Sequence, residues 1–467
     1  MFHPHRTKYP ILGFGFMTGT PDETPTNTFT PGGRRRHRKA RVSRIGGRRA
    51  LVLAMAVPVA SATLAGTSAF AADNTGTQAQ GISVDDLAAD DAQLVKNLEE
   101  RVADERLGND VSGVVLDADS DTALWDHNGA TALMPASNAK LATATTALTL
   151  LGANHEFTTK AVYGEGTLTL VGGGDRTLTS DDLAEMAKTA ADGLKAAGRS
   201  DVQVRIDDSL FADPSLAQGW NEGYYPTEIT PVRSLVVDGA AVDDTSIDAG
   251  KVFAEKLAEQ GITVDGEVSR ATTKDSDVPV AQHKSAPLSE IVKTMLKTSD
   301  NNIAETLLRM SAVELGKPGT FESGTALVRQ VLSSYGISLD NFEMHDGSGL
   351  SRDDRIPAAT LAQLLDSITE SPALSSILEG LPVAGEAGAS LGPEWGRFDD
   401  PNSECAVGKV QAKTGTLTGA IALSGVTKTE DGDWRIFSFI ENNSTADPTD
   451  IKDAMDGLAA TVNGCWA

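Results

Sequence analysis

Cysteine is nearly absent, with two residues in 467, and histidine occurs seven times. Beyond residue 71 the histidines are His127, His155, His283 and His345, with no HExxH and no paired spacing. No metal site is therefore expected. The glycine run Gly172-Gly173-Gly174 lacks the Gly-x-x-x-x-Gly-Lys-Ser/Thr form, so a tight turn is expected there and no phosphate loop. No cofactor is implied. Positive charge is scarce, with 40 Lys and Arg against 65 Asp and Glu and a net charge of −25. Residues 1–71 hold 11 of the basic and 2 of the acidic side chains, so the remainder is more acidic still. Nucleic-acid binding by the body is disfavoured, because phosphate would be repelled. Aromatics make up only 5%, so the core must rest on Leu, Val, Ile and Ala.

The basic head has an export layout. Arg34 to Arg49 is positive, residues 50–60 are apolar, and Ala69-Phe70-Ala71 forms a small-x-small pattern before Ala72. Pro58, Ser61 and Thr63 break the apolar run, which is too short for a good membrane span. We expect a signal peptide cleaved near Ala71-Ala72, an extracellular or cell-wall location, and no stable membrane anchor. General secretion fits better than twin-arginine export, since Gly47 precedes Arg48-Arg49. Residues 1–41 fit no export logic, which suggests a later start, at Val42. In an oxidising exterior Cys405 and Cys465 read as one disulfide. Two buried free thiols are the alternative.

Helical apolar spacing covers 86–107 and 137–151, and a hairpin of strands is expected at 111–116 and 122–125. From 156 to 280 the character changes to short strands (167–171, 202–206) alternating with helices (181–197, about 247–261), which reads as an inserted α/β module. Helices follow at 288–296, 303–313, 323–335 and 358–368. Strands at 407–412, 419–427 and 434–440 and a terminal helix at 447–462 complete the chain. Strands at both ends with helices between them predict one antiparallel sheet built from both termini and flanked by helices, an α+β arrangement.

Three short patterns carry chemistry in order: Ser137-Asn138-Ala139-Lys140, Ser299-Asp300-Asn301 and Lys413-Thr414-Gly415-Thr416. Each alone is weak. A serine at a helix start is most often an N-cap, Ser299 or Asp300 could cap the next helix, and Gly415 could mark a β-bulge. Together they suit nucleophilic catalysis. Lys140, three residues after Ser137, shares its helix face, and a desolvated amine can lose its proton and act as base. Ser299 could pass a proton to a leaving group, and Asn301 could bond Lys140 or a substrate amide. Lys413, Thr414 and Thr416 could hold a carboxylate, with Gly415 leaving room for a substrate backbone as an added strand.

The set resembles the penicillin-recognising serine peptidases. More narrowly it resembles the D-alanyl-D-alanine carboxypeptidase/endopeptidase family, the class C low-molecular-mass penicillin-binding proteins. Supporting stretches are Pro135-Ala136-Ser137, 170–175, 231–235, 285–288 and Asp346-Gly347-Ser348-Gly349-Leu350-Ser351-Arg352. The resemblance implies a transpeptidase-like domain split over 85–155 and 281–467, with 156–280 inserted, after a leader (1–71) and a mature tail (72–84). It implies Ser137 as acylated nucleophile, Lys140 as its base, and Ser299, Asn301 and Lys413 in the catalytic set. It further implies Thr414, Gly415 and Thr416 as substrate-binding, the Ser137 and Thr416 backbone N–H groups as oxyanion hole, and Arg352 as a contact for the substrate's diamino-acid side chain. Peptidoglycan stem peptides ending in D-Ala-D-Ala are the implied substrate, and β-lactams the inhibitors. Arg176 stands where the family usually has proline, and the short span from Lys140 to Ser299 implies two domains, not three. The alternatives are a serine β-lactamase and a non-catalytic penicillin- or wall-binding protein. The first lacks its Glu-x-x-Leu-Asn loop in 302–412; the second leaves all the reacting residue types without a purpose.

Overall fold

The computed structural model describes residues 88–466 apart from Asp121 and Glu430. The leader, its cleavage site and the tail lie outside the described residues.

One five-stranded antiparallel sheet joins the two ends of the chain. Its strand order is Val410–Leu417, Ala420–Lys428, Trp434–Asn442, Asp110–Asp117 and Thr122–His127. The register runs from Asp110 opposite Asn442 to Asp117 opposite Arg435. Alternate residues face opposite sides, as a pleated strand requires. Val111, Val115, Leu423, Phe437 and Phe439 enter an apolar cluster with the helices Ala89–Val102 and Pro448–Asn463. Val114, Leu116, Val426, Ile436 and Ile440 enter the larger cluster on the other face. That cluster holds the helices Ala139–Leu151, Leu288–Thr298, Asn301–Val313, Phe321–Ser334 and Ala358–Glu370. The predicted sheet from both termini is thus the sheet observed.

The edge strand departs from its expected bounds. It begins at Val410, not residue 407, and continues through Lys413-Thr414-Gly415 to Leu417. Leu417 pairs with Ala420 across Thr418-Gly419, and Gly419 takes φ +76°. That two-residue turn sets the register of the whole hairpin and carries the lysine motif into mid-strand.

Between the first two motifs lies a second, mixed sheet. Thr167–Val171 runs parallel to Asp201–Asp207, with helix Ser180–Ala196 as the crossover. The short strands Thr263–Val264 and Ser269–Arg270 add to it parallel to Asp201–Asp207, and on its other side Thr158–Gly164 and Val278–Lys284 pair antiparallel. The sequence reading omitted both of these strands. The second is mostly exposed and contains Pro279, so it lacks the apolar alternation that marks a strand. An apolar cluster drawn from residues 161–281 serves this sheet alone.

The segment 211–232 behaves differently: Phe211, Ala217, Trp220, Ile229 and Val232 enter the main helical cluster. The Trp220 indole packs edge-on to Tyr224, Tyr225 and Phe321. Its Nε1 donates to Asp346 Oδ2 at 2.6 Å. These aromatics bind the inserted segment to the body through packing.

Cys405 and Cys465 form a disulfide, with Cα atoms 5.9 Å apart and a sequence separation of 60. It ties the segment before the edge strand to the end of the last helix. In the chain-entropy account a loop of that size contributes about 4 kcal/mol. Thermal unfolding of Cys405→Ser/Cys465→Ser is therefore expected several degrees below that of the wild type, and a thiol reductant should lower the wild type to the same value.

Candidate active site

The first motif sits where the chain turns sharply. A single 3₁₀ turn, Ala136–Asn138, leads into helix Ala139–Leu151. Ala136, directly before Ser137, adopts φ +46°, an uncommon backbone state for a residue with a side chain. Neighbours hold the turn in place. Asn138 Nδ2 donates to Ser424 Oγ at 3.0 Å, and the Asn442 side chain accepts from Met134 N at 2.8 Å. The following helix is buried along nearly its whole length, and Ala, Leu and Thr suit a helix apolar all round. It brings Lys140 into the interior at 0% exposure.

Lys140 Nζ lies 2.9 Å from Ser137 Oγ. It donates to Asn301 Oδ1 at 2.7 Å and to the Ser348 carbonyl at 2.7 Å. Burial lowers its pKa to about 8, opposed in part by the negative charge of Asp346, Asp300 and Glu305.

The second motif is a helix–helix corner. Ser299 ends helix Leu288–Thr298 in the left-handed region at φ +60°. Asp300 caps the next helix, its Oδ1 accepting from Ile303 N at 2.8 Å. The capping role and the functional placement thus coexist, because Asp300 caps while its two neighbours face the site. Asn301 Nδ2 donates to the Glu228 carbonyl at 2.9 Å, which ties the corner to the inserted segment.

Lys413 lies in the middle of the edge strand, also at 0% exposure. Its Nζ donates to Ser299 Oγ at 2.9 Å and to the Thr414 carbonyl at 2.8 Å. Burial and then the charges of Lys140 and Arg397 hold its pKa well below the usual lysine range. Thr414 Oγ1 donates to Ser390 Oγ at 2.7 Å. Backbone bonds from Ala384 N to Val410 O and from Ala412 N to Pro382 O, each 2.9 Å, cover the strand edge up to Ala412. The covering segment stops short of Lys413 and the third motif.

A cavity of about 270 Å³ opens onto this set and is lined by Ser137, Ser299, Asn301, Thr414 and Thr416, among others. Glu228, Leu350, Ser390, Trp395, Arg397 and Lys452 complete most of the wall. Sequence reasoning met only Leu350 of these, inside the 346–352 stretch, and missed the other five. They come from loops and from the last helix, and no local pattern marks them.

Two expected residues make contacts within the protein itself. A Cβ on Gly415 would meet the Pro135 carbonyl at 2.8 Å and Ala136 Cβ at 3.1 Å. The missing side chain therefore makes room for the protein's own turn at Pro135-Ala136. Arg352 is exposed and lies to one side, its Nη2 donating to the Thr418 carbonyl at 3.0 Å. Arg176 feels Asp300 and Asp175, and burial lowers its pKa to about 10.

The D-Ala-D-Ala carboxypeptidase 3 (S13) family matches residues 94–242 and 229–462. Carboxypeptidase DacB of Mycolicibacterium smegmatis is 32% identical over 76% of this chain and 80% of its own. A D-alanyl-D-alanine carboxypeptidase of Actinomadura sp. is 29% identical over 88% and 90%. Among solved structures, penicillin binding protein 4 of Haemophilus influenzae superposes with a TM-score of 0.67 at 22% identity, covering 77% of this chain and 98% of that one. A Bdellovibrio bacteriovorus peptidoglycan endopeptidase gives 0.51 at 17% identity, covering 76% and 92%. Both structures share the fold described above.

Proposed function

This chain belongs to the D-Ala-D-Ala carboxypeptidase 3 (S13) family of serine peptidases, and we propose that it cleaves D-Ala-D-Ala stem peptides of peptidoglycan, or their crosslinks, through an acyl-enzyme on Ser137. The observation that carries this reading is that Ser137, Ser299 and Asn301 line one cavity while buried Lys140 bonds to Ser137 and Asn301 and buried Lys413 bonds to Ser299, the five coming from three separate chain segments.

The partners of Lys140 match a neutral amine. Two N–H groups serve Asn301 Oδ1 and the Ser348 carbonyl, which leaves the lone pair for the Ser137 hydroxyl. Lys140 takes the Ser137 proton as Oγ bonds to the peptide carbonyl carbon. The C–N bond then breaks, and the proton held by Lys140 passes by way of the Ser299 hydroxyl, which Lys413 orients, to the leaving amine, so that Lys140 is neutral again. Backbone N–H groups of Ser137 and Thr416 would hold the oxyanion, and Thr414, Thr416 and Lys413 the terminal carboxylate. Gly415 contributes by letting the edge strand and the nucleophile turn approach each other. Arg352 stands within reach of a side chain projecting past Thr418. Water, activated by Lys140, clears the acyl group. A β-lactam would acylate Ser137 in the same way, but its leaving amine stays tethered.

The catalytic domain in this reading comprises 85–155 and 281–467 with 156–280 inserted, supported by the separate apolar cluster of the second sheet. Export to the cell wall rests on the leader's layout; no helix among the described residues is long and apolar enough to cross a membrane.

Labelled penicillin should mark the wild type and leave Ser137→Ala unmarked, and D-alanine release from a peptide ending in Lys-D-Ala-D-Ala should vanish with it. Rapid drug hydrolysis would instead mark a β-lactamase, and labelling without D-alanine release a sensor.

A further inference from the structure

Beneath Lys140 lies a group of buried acids that the mechanism above does not use. Glu305 is 0% exposed, on the same helix as Asn301 and one turn further on. Its Oε1 accepts from Gly347 N at 2.8 Å and from Ser348 N at 2.7 Å. The Ser348 carbonyl is in turn one of the two acceptors of Lys140. The loop is threaded tightly between its neighbours. A Cβ on Gly347 would meet the Ala304 carbonyl at 2.9 Å, and one on Gly349 the Ala136 carbonyl at 1.9 Å. Asp346 supports the same loop, accepting from Gly349 N and Ser351 N, each at 2.7 Å.

We propose that Glu305 is a positioning residue for the base: by gripping the Gly347 and Ser348 amides it aims the Ser348 carbonyl at Lys140, and so turns the amine's lone pair toward Ser137. This rests on the reading of Lys140 as the base. A primary amine rotates freely about its last bond, and one acceptor alone would leave its lone pair undirected. Asn301 supplies one acceptor and the Glu305-held carbonyl the other, from a second direction. Local pairing cannot supply that carbonyl, since Lys140 and Ser348 are 208 residues apart.

Glu305 also shapes the charge around the amine. Asp346, Asp300 and Glu305 act on Lys140 from the acid side and Lys413 from the basic side. Glu305 itself faces Asp346 and Arg309. Burial and the Asp346 charge push its own pKa up to about 8. Asp354, beside Asp346, is raised well above the usual carboxylate range by burial first. A charged Glu305 favours the ammonium form of Lys140, so its removal shifts the base's titration toward acid.

Two variants and two readouts test this. Glu305→Gln keeps an oxygen for both amides, and acylation by labelled penicillin should stay close to wild type above about pH 9, where the amine is neutral in both. Glu305→Ala releases the loop, and acylation should fall by about 100-fold, the scale of a misplaced catalytic group. The carbon NMR shift of Lys140 Cε, titrated without substrate, should show a midpoint lower by about one pH unit in Glu305→Gln. That titration does not depend on turnover. An unmoved midpoint overturns the proposal even if the enzyme is active, and Glu305→Gln as slow as Glu305→Ala overturns it too. Should wild type fail to label at Ser137 while the midpoint shifts as expected, the peptidase reading fails and the positioning stands.

Discussion

Lys140→Met is expected to slow acylation of Ser137 by about 10²–10⁴-fold, the range general-base groups supply. Methionine fills much of the same buried volume, so the change removes the amine and little packing. The wild-type rate should rise with pH through about 8, because burial brings the Lys140 pKa down to that value and only the neutral amine can take the serine proton. The variant should lack this limb. Time courses with labelled penicillin across pH check both points, and a variant labelled as fast as wild type with the same limb would contradict the assignment. The same shift has a stability consequence. Between about 8 and the ordinary 10.5 the unfolded chain binds the proton that the folded protein has given up, so this group's contribution to stability grows as pH rises through that window. Lys140→Met loses that dependence, and it leaves Asn301 Oδ1 and the Ser348 carbonyl each without the amine donor.

Arg397→Met is expected to cost about 3–5 kcal/mol of folding stability. Arg397 forms a doubly bonded pair with Asp456 of the last helix, and Asp456 Oδ2 also accepts from Phe398 N at 2.8 Å. Arg397 is 2% exposed and Asp456 is fully buried. Burial raises the Asp456 pKa, and the guanidinium opposes that rise. With the arginine gone, the buried carboxylate loses its paired and hydrogen-bonded cation, and that loss accounts for most of the cost. Arg397→Met/Asp456→Leu should therefore recover most of the stability that the single change removes. Chemical denaturation of both variants measures this, and a double variant no more stable than the single one would show that the loss comes from packing instead.

Much of the site was legible because its signals are local. Ser137 and Lys140 lie one helical turn apart, and any chain forming that helix brings them to one face. Ser299 and Asn301 flank a residue whose capping chemistry predicts the corner. The two-terminus sheet followed from strands at both ends with helices between them. Other features left no local trace. The strand Val278–Lys284 is mostly exposed and carries a proline, so its partner strand, not its own pattern, makes it a strand. Gly415 pointed to a need for space and was read as leaving room for a substrate strand, while the protein's own neighbour across that space comes from more than 270 residues earlier. Glu305 offered a weak signal, a carboxylate one turn from Asn301 within an apolar helix, which has meaning only once the loop at 346–351 is packed against it.

Residue type and short-range spacing pointed to the candidate reacting groups, the order of the motifs and an α+β body with an inserted α/β module, because helix and strand periodicity are properties of neighbouring residues. Only the tertiary structure decided the depth at which the two lysines lie, the carbonyl that aims one of them and the carboxylates beneath it. Those depend on burial and on contacts between distant segments, and desolvation is set by everything packed around a group, not by the residues beside it in the chain.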